Sequence, residues 1–296
     1  MMARFLALSV CFAGAAAHTV GPAPLFRLRG GTAKSPADTY KAFVAGGADK
    51  ATTDTRVTLM QSVSTGCFVA FGGALLLTVG GQMPGIKAAN PGLQKIMLGI
   101  FGLPWAMMMI VLTGGQLFTG NTAMLTAALL EKKITLAQLA KNWVITYLGN
   151  FVGSLAAMFL LFSAGLFTPG NAAATTIATY KTSIPFMQVV MRGFLCNWMV
   201  CIAVFMMTCS ASLPGKFLAA FLPISSFVAL GFEHSIANMG MIPLGMLCGA
   251  DVSLSKFLLS SLLPVTIGNI LGGALMVGTF YHYAHGTGFT KNTKTY

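Results

Sequence analysis

The chain has 296 residues, 55% of them hydrophobic and only 8% charged, with a formal net charge of +12. Soluble domains carry about 25% charged residues, so the composition excludes an ordinary soluble protein and points to a polytopic membrane protein. The positive balance is not a nucleic-acid signature, because seven of the 18 basic residues precede the first apolar run and no basic patch recurs at helical spacing.

Residues 1–17 have a short basic start (Arg4), an apolar stretch and the small residues Ala15-Ala16-Ala17, the pattern of a secretory signal peptide too short to span a bilayer. Residues 18–56 are basic (Arg27, Arg29, Lys34, Lys41, Lys50) and rich in Ala, Gly, Pro and Thr. They read either as a transit-like segment or as a disordered N-terminal tail. A signal peptide followed by transit-like sequence looks like the two-part presequence of algae with complex plastids. The expected location is therefore the plastid envelope, with the plasma membrane as the alternative.

Apolar runs follow at about 57–80, 96–130, 142–167, 188–210, 217–250 and 257–280, which makes six spans within a membrane domain at 57–283, followed by a tail at 284–296. Both termini then face one side, which the basic N-terminal segment assigns to the cytosol or its organellar equivalent. Two runs are too long. The stretch 96–130 is 35 residues without a charge, interrupted by Thr113-Gly114-Gly115-Gln116-Leu117-Phe118-Thr119-Gly120-Asn121. The stretch 217–250 is 34 residues, with Glu233 and His234 its only ionisable groups at depth, Gly231 before them and Gly240 and Pro243 after. A straight helix of that length would reach about 50 Å, against a hydrocarbon core of about 30 Å. Both runs are expected to break near the midplane, where irregular backbone can line a cavity.

Gly149-Asn150-Phe151-Val152-Gly153 in the third span matches Gly268-Asn269-Ile270-Leu271-Gly272 in the sixth at an offset of 119, and Phe118 and Phe232 before the two breaks lie 114 apart. Two homologous three-helix halves fit these spacings, and an odd number of spans per half makes the repeat inverted. The alternative is that Gly-x-x-x-small spacing reflects close helix packing in lipid.

Charged groups at membrane depth cost roughly 2.5–3.5 kcal/mol on insertion scales and mark pathways for ions or protons. Imidazole has an ordinary pKa near physiological pH, so His234 at a break can give or take a proton; the alternative is a packing histidine bonded to a backbone carbonyl. Glu233 either faces a pore or holds the loop, and the loop role is preferred, with Gly120 supporting the other break. Thr119 and Asn121 sit where free N–H groups and a half-helix N-terminus favour an anion, or they cap that half-helix. Leu117, Phe118, Phe227 and Phe232 flank the breaks and are candidates for apolar constrictions, about half of which would face a pore. Six cysteines lie mostly in apolar runs without zinc-binding spacing, and His282 and His285 lack a third ligand, so neither metal nor cofactor is expected. With six acids in the chain and one at depth, no enzyme site is expected either.

These motifs resemble the formate/nitrite transporter family over nearly all of 57–283. The resemblance rests on Leu117-Phe118-Thr119-Gly120-Asn121, Leu139-Ala140-Lys141-Asn142-Trp143 and Arg192-Gly193-Phe194-Leu195-Cys196-Asn197-Trp198, together with Gly231-Phe232-Glu233-His234-Ser235-Ile236-Ala237-Asn238-Met239 and Pro264-Val265-Thr266-Ile267-Gly268-Asn269. It implies an all-α, aquaporin-like fold of six spans with broken helices two and five. It also implies a homopentamer in membrane lipid, with one pore per protomer for small monovalent anions of weak acids. The pathway residues carried over are His234, Thr119, Lys141, Asn121, Asn238 and Asn269, with Lys141 resembling the family's buried lysine. The first motif departs from the pattern, since Gln116 stands where an acid often precedes Leu-Phe-Thr. The expected activity is proton-linked permeation, nitrite first if the plastid address holds, formate or bicarbonate next. The rivals are an aquaporin-like pore for neutral solutes, which would need paired Asn-Pro-Ala breaks where this chain has a lone Asn90-Pro91-Gly92, expected in a loop, and a membrane scaffold without a pore.

Overall fold

The computed structural model describes residues 33–288. The signal-peptide pattern and the first part of the transit-like segment, through residue 32, lie outside the described residues, as does the tail from 289.

The folded unit starts earlier than the sequence reading placed it. Helix α1, Pro36–Thr52, is set by Ser35, whose hydroxyl caps the Asp38 N–H, by Pro36 in the first turn, and by Asp38 and Lys50 at the ends the helix dipole favours. Tyr40, Phe43, Val44 and Gly47 follow at helical spacing and are buried, with Phe43 edge-on to Phe205. Part of what composition marked as a transit-like tail is thus a docked amphipathic helix.

Among the described residues six helices are long and apolar enough to cross a membrane, as a multi-pass integral membrane protein requires. The first half runs α2 (Thr55–Val79), α3 (Pro84–Ala89), α4 (Pro91–Ile100), α5 (Leu103–Leu112), α6 (Phe118–Leu130) and α7 (Leu136–Ser163). The second half runs α8 (Ala172–Ser183), α9 (Phe186–Cys209), α10 (Leu213–Leu230), α11 (Ser235–Leu247) and a final span α12, Leu254–His285, which contains π-helical turns at Phe257–Leu262 and Ala274–Thr279. Each half therefore carries a short helix, α1 or α8, ahead of its first span.

Both long runs break, as their length requires, but the second span breaks twice. Asn90 and Pro91 cap and start α4, so Asn90-Pro91-Gly92 is a helix start and not a loop. Gly102 then separates α4 from α5 at φ 149, where a Cβ would collide with the Gly72 carbonyl. The 113–117 break follows, and its counterpart lies between α10, ended by Gly231 at φ 74, and α11.

The glycine motifs bring the halves together as equivalents. A Cβ on Gly153 would strike the Val63 carbonyl on α2, and one on Gly272 would strike the Phe194 carbonyl on α9. Close packing and internal repetition are therefore both true of these glycines.

Candidate functional site

Each break is held by one asparagine, and the two constructions match bond for bond. Asn150 Nδ2 donates to the Ser62 and Gln116 carbonyls at 2.8 and 2.9 Å, and its Oδ1 accepts from the Phe118 N–H at 2.9 Å. Asn269 Nδ2 donates to the Gly193 and Glu233 carbonyls at 2.8 and 3.1 Å, and its Oδ1 accepts from the Ser235 N–H at 2.9 Å. Backbone groups freed by a break at membrane depth must find partners, and each amide supplies three. The bonds equate Phe118 with Ser235, 117 residues on, and correct the 114-residue pairing of Phe118 with Phe232.

A second layer repeats at the same spacing. Asn121 Nδ2 donates to Gln116 Oε1 at 2.7 Å and to Asn142 Oδ1 at 2.9 Å. Asn238 Nδ2 donates to Glu233 Oε2 at 2.8 Å and to Ser261 Oγ at 3.0 Å. Lys181, from α8, closes the second set with its ammonium 3.1 and 3.0 Å from the two Glu233 oxygens, and both side chains are buried. Lys50, from α1, is its counterpart, but its ammonium donates to the Gly115 carbonyl at 2.9 Å. Burial pulls the Lys50 ammonium down to about 8.

His234 caps α11: its Nδ1 accepts from the Ala237 N–H at 3.2 Å. That bond leaves the ring proton on Nε2, which donates to Thr119 Oγ1 at 2.9 Å. A second proton on Nδ1 would remove the cap, so this arrangement holds the imidazole neutral. The Thr119 hydroxyl keeps its own proton to give, with no other acceptor for it among the described residues. Asn197 fixes Thr119 from behind, donating to its carbonyl at 3.1 Å and to Thr122 Oγ1 at 2.9 Å.

Two cavities meet at Leu117. The outer one, about 180 Å³, is lined by Lys50, Gly115, Gly120, Asn121 and Lys216 along with apolar side chains. The inner one, about 20 Å³, is lined by Val69, Ala106, Val200, Ile224, Phe227 and His234. Leu117, Met107 and Ile110 line both. A chamber that carries two lysines on largely apolar walls thus adjoins an apolar one whose single polar side chain is His234.

Several expected residues stand elsewhere. Lys141 is exposed on the first turns of α7 and lines neither cavity; the lysines that reach the breaks, half-buried Lys50 and buried Lys181, come from the two short helices that precede the spans. Asn238 and Asn269 give their amide hydrogens to Glu233, Ser261 and backbone, so they support the break, and they line neither cavity. Thr119 lies behind His234. Phe118 turns away to pack edge-on against Tyr147 and Trp143, at centroid distances of 5.0 and 6.1 Å, and Phe232 lines neither cavity. Gly120, expected as support, is on the outer cavity wall, where Asn121, Leu117 and, for the inner cavity, Phe227 also stand. Sequence reasoning missed Lys50 and Lys181. Their signal was their shared place, one before each half, 131 residues apart, the same offset that relates Val63 to Phe194. Among the described residues no three His, Cys, Asp or Glu side chains gather to hold a metal.

The comparisons agree with this architecture. The family model described as "Formate/nitrite transporter" matches residues 37–283. A probable formate transporter of Methanothermobacter thermautotrophicus is 38% identical over 274 residues, covering 86% of this chain and 98% of the relative. A solved FNT family ion channel superposes with a TM-score of 0.76 at 30% identity, covering 83% of this chain and 98% of the other. A pentameric formate channel with formate bound gives 0.66 at 27%, covering 85% and 99%. The family match begins within α1, in keeping with that helix being part of the fold. The chain belongs to the formate/nitrite transporter family.

Proposed function

We propose that this chain is a channel-like transporter for small monovalent anions of weak acids, working as a homopentamer with one pathway per protomer. The observation that carries the reading is the succession of chambers, a cationic outer cavity joined through Leu117 to an apolar inner cavity that holds a neutral His234. The outer chamber gathers the anion, whereas the inner one offers no charge to replace its water. An ion crossing there pays a desolvation cost that the neutral acid avoids. Permeation is then linked to protons: the anion takes one up from water in the outer chamber, and in the inner one the Nε2–H of His234 exchanges its Thr119 partner for an oxygen of the passing acid. In this geometry His234 acts as a donor held in one tautomer, and water is the source of the transported proton.

Nitrite is the leading substrate, followed by formate and bicarbonate. The nitrite preference rests on the plastid address read from residues 1–56, and nothing in the two cavities selects it. Proteoliposomes assayed with nitrite, formate, bicarbonate and lactate test the reading. Uptake of at least one of them well above empty liposomes, faster at acid pH, is expected, and no uptake of any sinks the reading. For the address, residues 1–35 fused to a fluorescent protein should enter the plastid; plasma-membrane fluorescence would give the alternative location.

A further inference from the structure

Glu131 closes α6 at the end away from the first break and takes four hydrogen bonds from three other segments. Its Oε1 accepts from the Tyr40 hydroxyl on α1 at 3.3 Å, from His282 Nδ1 on α12 at 2.7 Å and from the Thr287 N–H at 2.9 Å. Its Oε2 accepts from the Thr287 hydroxyl at 3.0 Å. Gly286 lets the chain after α12 pass this close, since a Cβ there would strike Glu131 Oε1 and the Tyr40 ring. Beside this junction, Phe205 of α9 packs edge-on against Phe43 of α1 and Tyr281 of α12, at centroid distances of 5.6 and 4.6 Å. The last turns of α12 and the residues after it therefore help to build the seat of α1.

The second half is tied differently at the corresponding place. By the offsets of 117 and 131 residues that relate the halves, Glu131 and Tyr40 correspond to Cys248 and Asn171. Asn171 caps α8, and a backbone bond from the Gly170 N–H to the Cys248 carbonyl, 2.8 Å, joins the two segments there. The start of α8 is thus fastened through backbone, whereas the start of α1 is fastened through a carboxylate that a third segment shares.

We infer that Glu131 is a positioning residue, which fastens the segment after α12, through Thr287, to α1, through Tyr40, and so sets where α1 holds Lys50 at the first break. Thr53 and Asp54 join α1 to α2 at the Lys50 end, so the start of the helix depends on non-covalent ties. A rigid helix released at its start pivots about its linked end, and the Lys50 bonds lie at that pivot: the ammonium to the Gly115 carbonyl and the Lys50 carbonyl from Asn142 Nδ2 at 3.0 Å. Bonds to an ionised acceptor are the strong ones among these ties. Lys34 adds two, to the Thr208 and Cys209 carbonyls, so loss of Glu131 loosens α1 without freeing it. An effect of Glu131 on anion uptake rests on the transport reading above; the seating of α1 does not.

Hydrogen–deuterium exchange read by mass spectrometry on the full-length protein in detergent tests the seating without any flux, with the amides of α8 as the internal control. Glu131→Ala should speed exchange along α1 about tenfold, the factor expected for losing a bond to a charged group, and leave α8 at the wild-type rate. Tyr40→Phe and Thr287→Val each remove one hydroxyl and should speed α1 by about threefold, which keeps the test in hand if Glu131→Ala fails to assemble. Wild-type rates along α1 in the assembled variants, or α1 and α8 speeding together, overturn the inference. In proteoliposomes, Glu131→Ala should raise the half-saturating anion concentration for uptake from the α1 side with the maximal rate unchanged. A lower maximal rate at unchanged half-saturation would make the residue merely structural and overturn its positioning role. A wild type that passes no anion would remove the transport reading while leaving the exchange result standing, so the two fail separately.

Discussion

The two broken segments are built on one plan and differ at one charge. Around the second break, Lys181, Glu233, Asn238 and Ser261 form a closed set in which every strong charge has its partner inside the protein. Around the first, Lys50, Gln116, Asn121 and Asn142 repeat the geometry with an amide in place of the acid, and a cavity opens beside the lysine. The comparison separates two uses of a lysine at a helix break. Paired, it locks a helix break; unpaired and beside a chamber, it is available to a solute.

The widest contrast should appear on removing each lysine. Lys181→Gln leaves Glu233 buried and unpaired, and breaking such a pair costs about 3–5 kcal/mol, which thermal unfolding in detergent would read as a large drop. The double variant Lys181→Gln/Glu233→Gln should recover most of it. Lys50→Gln should lose nothing, and equal losses from the two single variants would erase the distinction between the halves.

The shared part of the plan predicts equal effects. Asn150→Ala and Asn269→Ala each leave two carbonyls and one N–H without their partner, at about 1–3 kcal/mol per buried group less whatever water repairs. We expect each to destabilise by about 3 kcal/mol in the same thermal assay. A loss in only one would mean that the breaks are supported differently.

The smallest effect concerns pH. The Lys50 ammonium sits at about 8 in the folded protein, below its ordinary value near 10.4. Between those values the unfolded chain binds a proton that the folded one does not, so Lys50 contributes a stability penalty that grows as pH falls through this window and is constant below about 8. Lys50→Gln removes the penalty. It should raise stability by about 1 kcal/mol at pH 7, after allowance for solvent in the chamber, with the gain shrinking above pH 8. Denaturation curves at pH 7 and pH 10 check the sign, and a variant less stable than wild type at pH 7 would contradict it.

Much of this was legible in the chain. The over-long charge-free runs demanded breaks, and Gly149-Asn150 and Gly268-Asn269 marked the repeat, because span length and glycine spacing are local properties. The docking of α1 was written in Ser35-Pro36-Ala37-Asp38 and the stripe from Tyr40 to Gly47, but the Ala-, Gly- and Lys-rich composition reads equally as a targeting segment. The partner of Glu233 was hidden because Lys181 lies 52 residues away on a short helix between spans. Lys141 drew attention through its motif, yet a residue's place along a motif does not fix which way its helix faces. Leu117 and Phe118 make the same point, being adjacent with one on the cavities and the other against Trp143 and Tyr147.

The central claim is that the Leu117 to His234 passage admits the acid and refuses the anion, with His234 providing a neutral donor. The direct test is initial uptake of formate or nitrite into proteoliposomes against external pH, for wild type and His234→Asn side by side. An amide can keep one hydrogen bond at this position, so the variant should assemble. The account predicts that uptake rises as pH falls in both proteins, because the acid takes its proton from water, and that His234→Asn lowers the rate without flattening the profile. A profile that turns flat in His234→Asn would contradict it, making the imidazole itself the source of the transported proton.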